Sequence, residues 1–118
     1  MAQTQTEYLF AYGRLQSDAV QLATFHRKLD GRPDALIGYI VETIEIKNEA
    51  FVASSGTAHH RNLRFTGRSS DIVEGTAFSL TAHELALADS YEPPGYNRTQ
   101  VKLRSGSTAW VYVNNGQC

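Results

Sequence analysis

The segment Tyr8-Leu9-Phe10-Ala11-Tyr12-Gly13-Arg14-Leu15 decides the fold. Five apolar or aromatic residues run without a polar interruption and end at a glycine, the pattern of a short strand buried on both faces. Ser17 follows as a candidate N-cap, and Asp18 falls in a first helical turn, where negative charge suits the helix dipole. Leu22, Phe25, His26 and Leu29 then recur at the spacing of an amphipathic helix, and Gly31 and Pro33 are expected to stop it. A buried strand passing directly into a helix implies a sheet with helices packed on it.

Further along the chain, residues Leu36 to Ile46 read as one long strand, Ile40, Glu42, Ile44 and Ile46 alternating with Tyr39, Val41, Thr43 and Glu45. Phe51-Val52-Ala53 is a shorter strand candidate. Residues 54–70, rich in Gly, Ser, His and Arg, are expected to form an irregular excursion. Val73 to Leu80 resumes strand character around Gly75, a position suited to a bulge or a close backbone approach. Thr81-Ala82-His83-Glu84 fits a capping box, which predicts a helix running to about Tyr91 before Pro93-Pro94-Gly95 breaks it. Arg98–Leu103 and Thr108–Val113 alternate as strands joined by a hairpin loop, Arg104-Ser105-Gly106-Ser107. The order β-α-β-β-β-α-β-β lacks strict βα alternation, so the fold class is α+β with a mixed sheet; the pattern leaves barrel closure open.

Composition bounds the partners. The 118 residues suit one domain, 1–118, with residues 1–7 as a polar leader. Formal net charge is −1 with no dense Lys/Arg run, so no nucleic acid and no membrane surface is expected as a partner. Cys118 is the single cysteine, which excludes an intramolecular disulfide and suits a reducing cytoplasm. The leader lacks a basic stretch followed by an apolar one, and no apolar run approaches the ~20 residues of a membrane span. A cytoplasmic monomer or homodimer is the expectation.

Generic motifs return little: there is no GxGxxG, P-loop, GxSxG or HExxH. His59-His60 lack companion ligands at workable spacing, so no metal is expected. Two segments stand out. Tyr12-Gly13-Arg14-Leu15 is an ordinary strand-to-helix turn on pattern alone, although its glycine would let a ligand approach the backbone and its free N–H groups could hold an anion. Asp89 and Glu92, three residues apart, fall on the same helical face as Leu85, so one or both carboxylates could point inward with a raised pKa. An ion pair with Arg98 and plain solvation at a helix end fit the spacing about as well.

The same residues carry a resemblance. Tyr12-Gly13-Arg14-Leu15 resembles the Tyr-Gly-x-Leu signature of the gamma-glutamylcyclotransferase-like family, and Asp89-x-x-Glu92 with Tyr96-x-Arg98 resembles its second signature. Val73-Glu74-Gly75-Thr76-Ala77-Phe78 is similar to the strand between them, and Ala109-Trp110-Val111-Tyr112-Val113 to the closing strand; by element order the likeness covers residues 8 to 113. It implies a small mixed β-barrel flanked by helices, with a cavity at one end. It also implies conversion of a γ-glutamyl amine or amide into 5-oxoproline and a free amine, without a cofactor. The substrate supplies its own nucleophile, so one carboxylate can serve as general acid and base. By position that carboxylate is Glu92. The turn from Tyr12 through Gly13 and Arg14 to Leu15 matches the loop whose amides hold the substrate carboxylate, with Tyr96 beside it. Arg14 stands where the family commonly has a small residue, able either to salt-bridge a substrate carboxylate or to crowd the pocket, and Pro93-Pro94 stands where Gly is frequent. A non-catalytic binding module with the same cavity is the alternative. Hydrolysis or amide transfer on another γ-glutamyl conjugate is a third reading.

Overall fold

In the computed structural model, residues 6–45, 59–92 and 95–114 are described. Strand β1 (Thr6–Ala11) lies at the centre of a five-stranded sheet, paired antiparallel to β5 (Ile72–Thr81) and parallel to β7 (Thr108–Asn114). Its unbroken apolar run follows from that place. Leu9 and Ala11 enter the core under the helices, while Phe10 and Tyr12 enter a second core on the opposite face. Full burial of a side chain such as Leu9 or Phe10 contributes roughly 1.5–3 kcal/mol.

The sheet is mixed, ordered β2-β5-β1-β7-β6, with β2 (Asp30–Ile37) and β6 (Tyr96–Lys102) at its edges. A separate two-stranded ribbon pairs β3 (Tyr39–Glu45) with β4 (His59–Phe65). Among the described residues the sheet does not close, so the expected barrel is open. The ribbon covers the second core: Leu63, Tyr39 and Val41 pack with Phe10, Leu36 and Val111. Side chains make the link where a strand ladder would otherwise close the barrel. The Asn62 amide donates to the Asn114 carbonyl at 2.8 Å and accepts from the Asn114 N–H at 2.9 Å.

Helix α1 (Asp18–Phe25) and helix α2 (Ala82–Tyr91) lie against the first core. The capping box at Thr81 is present: its hydroxyl accepts from the Glu84 N–H at 3.0 Å, and the Glu84 carboxylate accepts from the Thr81 N–H at 2.9 Å. Arg27 clamps the same carboxylate through Nε at 2.6 Å, and this bond is the largest cause holding Glu84 down to about 2. No helix of the described residues is long and apolar enough to cross a membrane.

Several sequence expectations need correction. Helix α1 ends at Phe25, because His26 takes a left-handed conformation, and Gly31 and Pro33 lie within β2 rather than stopping the helix. An edge strand tolerates Pro33, which has no N–H to donate. Leu22, expected in the apolar stripe, is 51% exposed; Gln21 takes the interior position. Its amide is satisfied there, donating to the Leu15 carbonyl and accepting from the Leu29 N–H, both at 2.8 Å. Ser17 occupies the N-cap position without a side-chain cap. The long strand from Leu36 is broken by Gly38 at φ 88°, and the expected irregular stretch contains β4. Phe51-Val52-Ala53 lies outside the described residues.

Gly75 permits a close approach rather than a bulge. A Cβ there would lie 2.3 Å from the Ala11 carbonyl oxygen and 2.8 Å from Phe10 Cζ. Backbone cannot yield as a flexible side chain can, so Gly75→Ala should destabilise by roughly 1–3 kcal/mol or more, out of a typical total of about 5–15. Chemical denaturation measures this. An unchanged midpoint would mean that β1 and β5 separate at little cost.

Candidate active site

Helix α2 ends at Tyr91, and Glu92 is its C-cap residue, extended at φ −67° and ψ 146°, with its N–H still bonded to the Ala88 carbonyl at 3.1 Å. The chain leaves the helical conformation there with Glu92 half-buried, and the Glu92 charge acts on Tyr12, just past β1, and on Tyr112 of β7. Burial pushes the Glu92 carboxyl up to about 7; the Arg14 charge works against this and the Asp89 charge adds to it. The negative end of a helix dipole acts in the same direction as burial.

Asp89 has the opposite environment. Desolvation alone would raise its pKa, but a hydrogen bond from Arg98 and another from Tyr112 outweigh it and leave the carboxyl below its ordinary value. Arg98 binds it with two nitrogens, Nε to Oδ1 at 2.6 Å and Nη2 to Oδ2 at 3.0 Å, and the Tyr112 hydroxyl donates at 2.7 Å. The Arg98 guanidinium also lies over the Trp110 ring, 4.7 Å from its centroid. The two readings of the carboxylate pair thus divide between its members. Asp89 takes the ion pair with Arg98, and Glu92 is the half-buried carboxylate whose pKa desolvation raises. A recess of about 350 Å³ is lined by Asp89, Tyr96, Asn97, Arg98, Trp110 and Tyr112, a set that does not include Glu92.

After β1 the chain passes through Tyr12 and Gly13 into a single 3₁₀ turn, Arg14–Gln16. Tyr12 is buried and its hydroxyl donates to the Tyr112 carbonyl at 2.7 Å, so this side chain braces β1 against β7. Leu15 is buried in the core under the helices, and its carbonyl accepts from the Gln21 amide. The first amides of a helical turn have no partner within it. A Cβ at Gly13 would meet no described atom within 4 Å, so open space lies over this backbone. Arg14 is exposed and, among the described residues, forms no ion pair, yet its charge reaches both Glu92 and Tyr91. Tyr96, on β6, donates its hydroxyl to the Arg61 carbonyl at 2.6 Å.

Two residues here were not singled out in the sequence. Arg61 donates to the Tyr12 carbonyl at 3.3 Å, tying β4 to the turn; its segment read as loop, so no signal marked it. Tyr91 is the second. Its hydroxyl is buried and, among the described residues, has no hydrogen-bond partner, a state costing about 1–3 kcal/mol. Its place one residue before Glu92 was visible, but only the fold shows that the hydroxyl is left unpaired.

The family described as "Gamma-glutamyl cyclotransferase, AIG2-like" matches residues 9–118. No curated protein matches the chain in sequence. Similar solved structures include the Arabidopsis thaliana protein At3g28950.1, determined in solution, at 21% identity and TM-score 0.65 over 96% of this chain. The Homo sapiens uncharacterized protein loc79017 is 17% identical with TM-score 0.71, and a structure described as gamma-glutamyl cyclotransferase is 15% identical with TM-score 0.70, each over 94% of this chain. The chain spans 66%, 68% and 68% of their respective lengths. At these identities the likeness is one of fold.

Proposed function

Because the chain belongs to the gamma-glutamyl cyclotransferase, AIG2-like family, we propose that it releases 5-oxoproline and a free amine from a small γ-glutamyl amine or amide, with Glu92 as general acid and base. The observation that carries this reading is the half-buried Glu92 carboxyl, pushed up by burial to about 7 within reach of the Arg14 charge. An acid with a pKa near the working pH can accept and return a proton within one cycle.

In this reading the turn and Glu92 line one cavity. The amides of Arg14 and Leu15 hold the α-carboxylate of the glutamyl unit, which places its α-ammonium at Glu92. Glu92 removes one proton, and the freed amine attacks the γ-carbonyl carbon. The ring nitrogen sheds its second proton to solvent as the γ-carbon–nitrogen bond to the leaving amine breaks. Glu92 returns its proton to that nitrogen, and the released amine takes another from water. Two protons leave the attacking nitrogen and two arrive at the departing one. No metal or redox step is required. The open guanidinium of Arg14 supports catalysis over the binding-module reading, in which Arg14 would pair with Glu92 and block it.

The test is incubation with a panel of γ-glutamyl amines, amides and amino acids, with 5-oxoproline followed by mass spectrometry. Binding of one of them without turnover would favour the module instead. Gly13→Ala separates fold from site: the added methyl meets no described atom, so the unfolding midpoint should stay within the scatter of surface substitutions. KM should rise about tenfold or more, since a methyl would stand where the ligand approaches the backbone. Unchanged kinetics would remove the turn from the site.

A further inference from the structure

We propose that Tyr112 is a positioning residue. Its backbone carbonyl anchors the start of the Tyr12–Leu15 turn and its hydroxyl anchors the C-terminal end of α2, so one residue sets the spacing between the groups assigned to substrate binding and to proton transfer. The inference rests on the cyclotransferase reading, because it takes the turn and Glu92 as two halves of one site.

Strands β1 and β7 run parallel with Leu9 opposite Trp110, which brings the end of β1 alongside Tyr112. The Tyr12 hydroxyl donates to the Tyr112 carbonyl at 2.7 Å, and both residues are buried, so water does not compete for this bond. Tyr12 immediately precedes Gly13, and the bond therefore fixes where the 3₁₀ turn begins. The Tyr112 side chain enters the core under the helices, where its hydroxyl donates to Asp89 Oδ1 at 2.7 Å and lies 3.5 Å from the Leu85 carbonyl. Leu85 and Asp89 stand on successive turns of α2. Glu92 follows Asp89 by three residues, with its N–H still bonded to the Ala88 carbonyl, and residues three apart on a helix are neighbours. Arg98 grips the same Asp89 carboxylate from β6 with two nitrogens, so Asp89 is held on both sides. Two short hydrogen bonds through Tyr112 and one turn of helix thus connect the turn to Glu92.

The reaction depends on that spacing. A general base must lie within hydrogen-bond reach of the proton it removes, and here the turn places the substrate nitrogen while α2 places the carboxylate. The two elements are far apart in sequence, so a partner common to both must hold them in register. Tyr112 supplies it with two different atoms, a carbonyl oxygen toward the turn and a hydroxyl toward the helix. Burial, followed by the bond to Asp89, pushes the Tyr112 hydroxyl well above the usual tyrosine range, so it stays a neutral donor and passes on no proton. Because the two bonds use different atoms, they can be cut separately.

Tyr112→Phe removes the bond to α2 and keeps the carbonyl that holds the turn; Tyr12→Phe does the reverse. Both are assayed on a γ-glutamyl compound that the wild type converts, well below their unfolding midpoints and at a pH well above 7, where Glu92 is ionised. Tyr112→Phe should lower kcat about tenfold with KM within about threefold, less than the roughly 100-fold that a 1 Å misplacement can cost. Tyr12→Phe should instead raise KM about tenfold with kcat within about threefold, because it frees the turn and leaves α2 anchored. Each variant loses a buried hydrogen bond, so both midpoints should fall. A purely structural role would stop there and move neither constant in the folded protein. Should Tyr112→Phe fail to fold, Asp89→Ala cuts the same bond from the helix side and should show the same fall in kcat. Unchanged constants in the folded variants, or the same constant moved in both, would overturn the positioning role while the cyclotransferase reading stood. Absence of 5-oxoproline from every γ-glutamyl compound with the wild type would overturn both.

Discussion

Glu92→Gln should reduce 5-oxoproline formation by about 10²–10⁴-fold, the usual contribution of general acid–base catalysis, while leaving the fold intact. Gln has nearly the same shape and can still bond the substrate ammonium, but it cannot take the proton from it. Binding of a non-reacting analogue should therefore weaken far less than turnover, because carboxylate recognition is assigned to the turn. The same variant should be more stable than the wild type at neutral and higher pH. The folded-state pKa of Glu92 is raised from 4.5 to about 7. Its favourable contribution is thus complete below the unfolded value and lost as pH rises through 7, leaving an ionised carboxylate partly removed from water. Gln avoids that cost, on the order of 1–3 kcal/mol for a shift of this kind in a half-buried group. Loss of activity with gain of stability is the expected pair. Near wild-type turnover in the Gln variant would mean that Glu92 is not the base.

Glu84 shows that the direction of a shift, rather than burial alone, separates scaffold from site. It is held at about 2 by Arg27 and the capping box, so its contribution to stability is present above the ordinary glutamate value and lost as pH falls toward 2. Two glutamates at opposite ends of α2 therefore act in opposite senses. The one at the N-terminus is matched to donors and to the positive end of the helix. The one past the C-terminus lacks such a match.

Much of this was legible in the sequence where local chemistry determines structure. The strand ending at Ala11, buried from Leu9 onward although Tyr8 is exposed, the capping box at Thr81 and the hairpin at Arg104–Ser107 depend on residues a few positions apart. The helix ending at Tyr91 does so as well. The misread elements depend on distant partners. β4 has a polar, Arg-rich sequence and becomes a strand because β3 pairs with it from Tyr39↔Phe65 to Glu45↔His59. Gln21 displaces Leu22 from the interior because Leu15 and Leu29 satisfy its amide, an arrangement that hydrophobic spacing does not encode. The site divides similarly. Spacing brought Asp89 and Glu92 to one helix face but left both readings open for each, since the choice turns on where Arg98 and Tyr112 lie across the sheet. The unpaired state of the Tyr91 hydroxyl is likewise a property of the whole fold.

The pH dependence of kcat/KM should have an acid limb with its midpoint near 7, set by Glu92 in the free enzyme. Glu92 must be ionised to accept the ammonium proton, so below the midpoint the rate falls about tenfold per pH unit, reaching roughly 100-fold two units down. Histidine ordinarily titrates in the same range, so shape alone does not identify the group. Its charged neighbours do. Arg14 lowers the Glu92 pKa and Asp89 raises it. Arg14→Ala removes the cation that favours the carboxylate, so the limb should move to higher pH. Asp89→Asn removes a repelling anion while keeping an oxygen for the Tyr112 hydroxyl, so the limb should move to lower pH. Because Arg14 is exposed, its effect should shrink as salt is added, whereas the burial that dominates the shift should not be screened. Residual activity in Glu92→Gln should lose the limb altogether. If both neighbours leave the midpoint in place and the Gln variant keeps the limb, the titrating group is not Glu92, and a histidine or the substrate itself sets the profile.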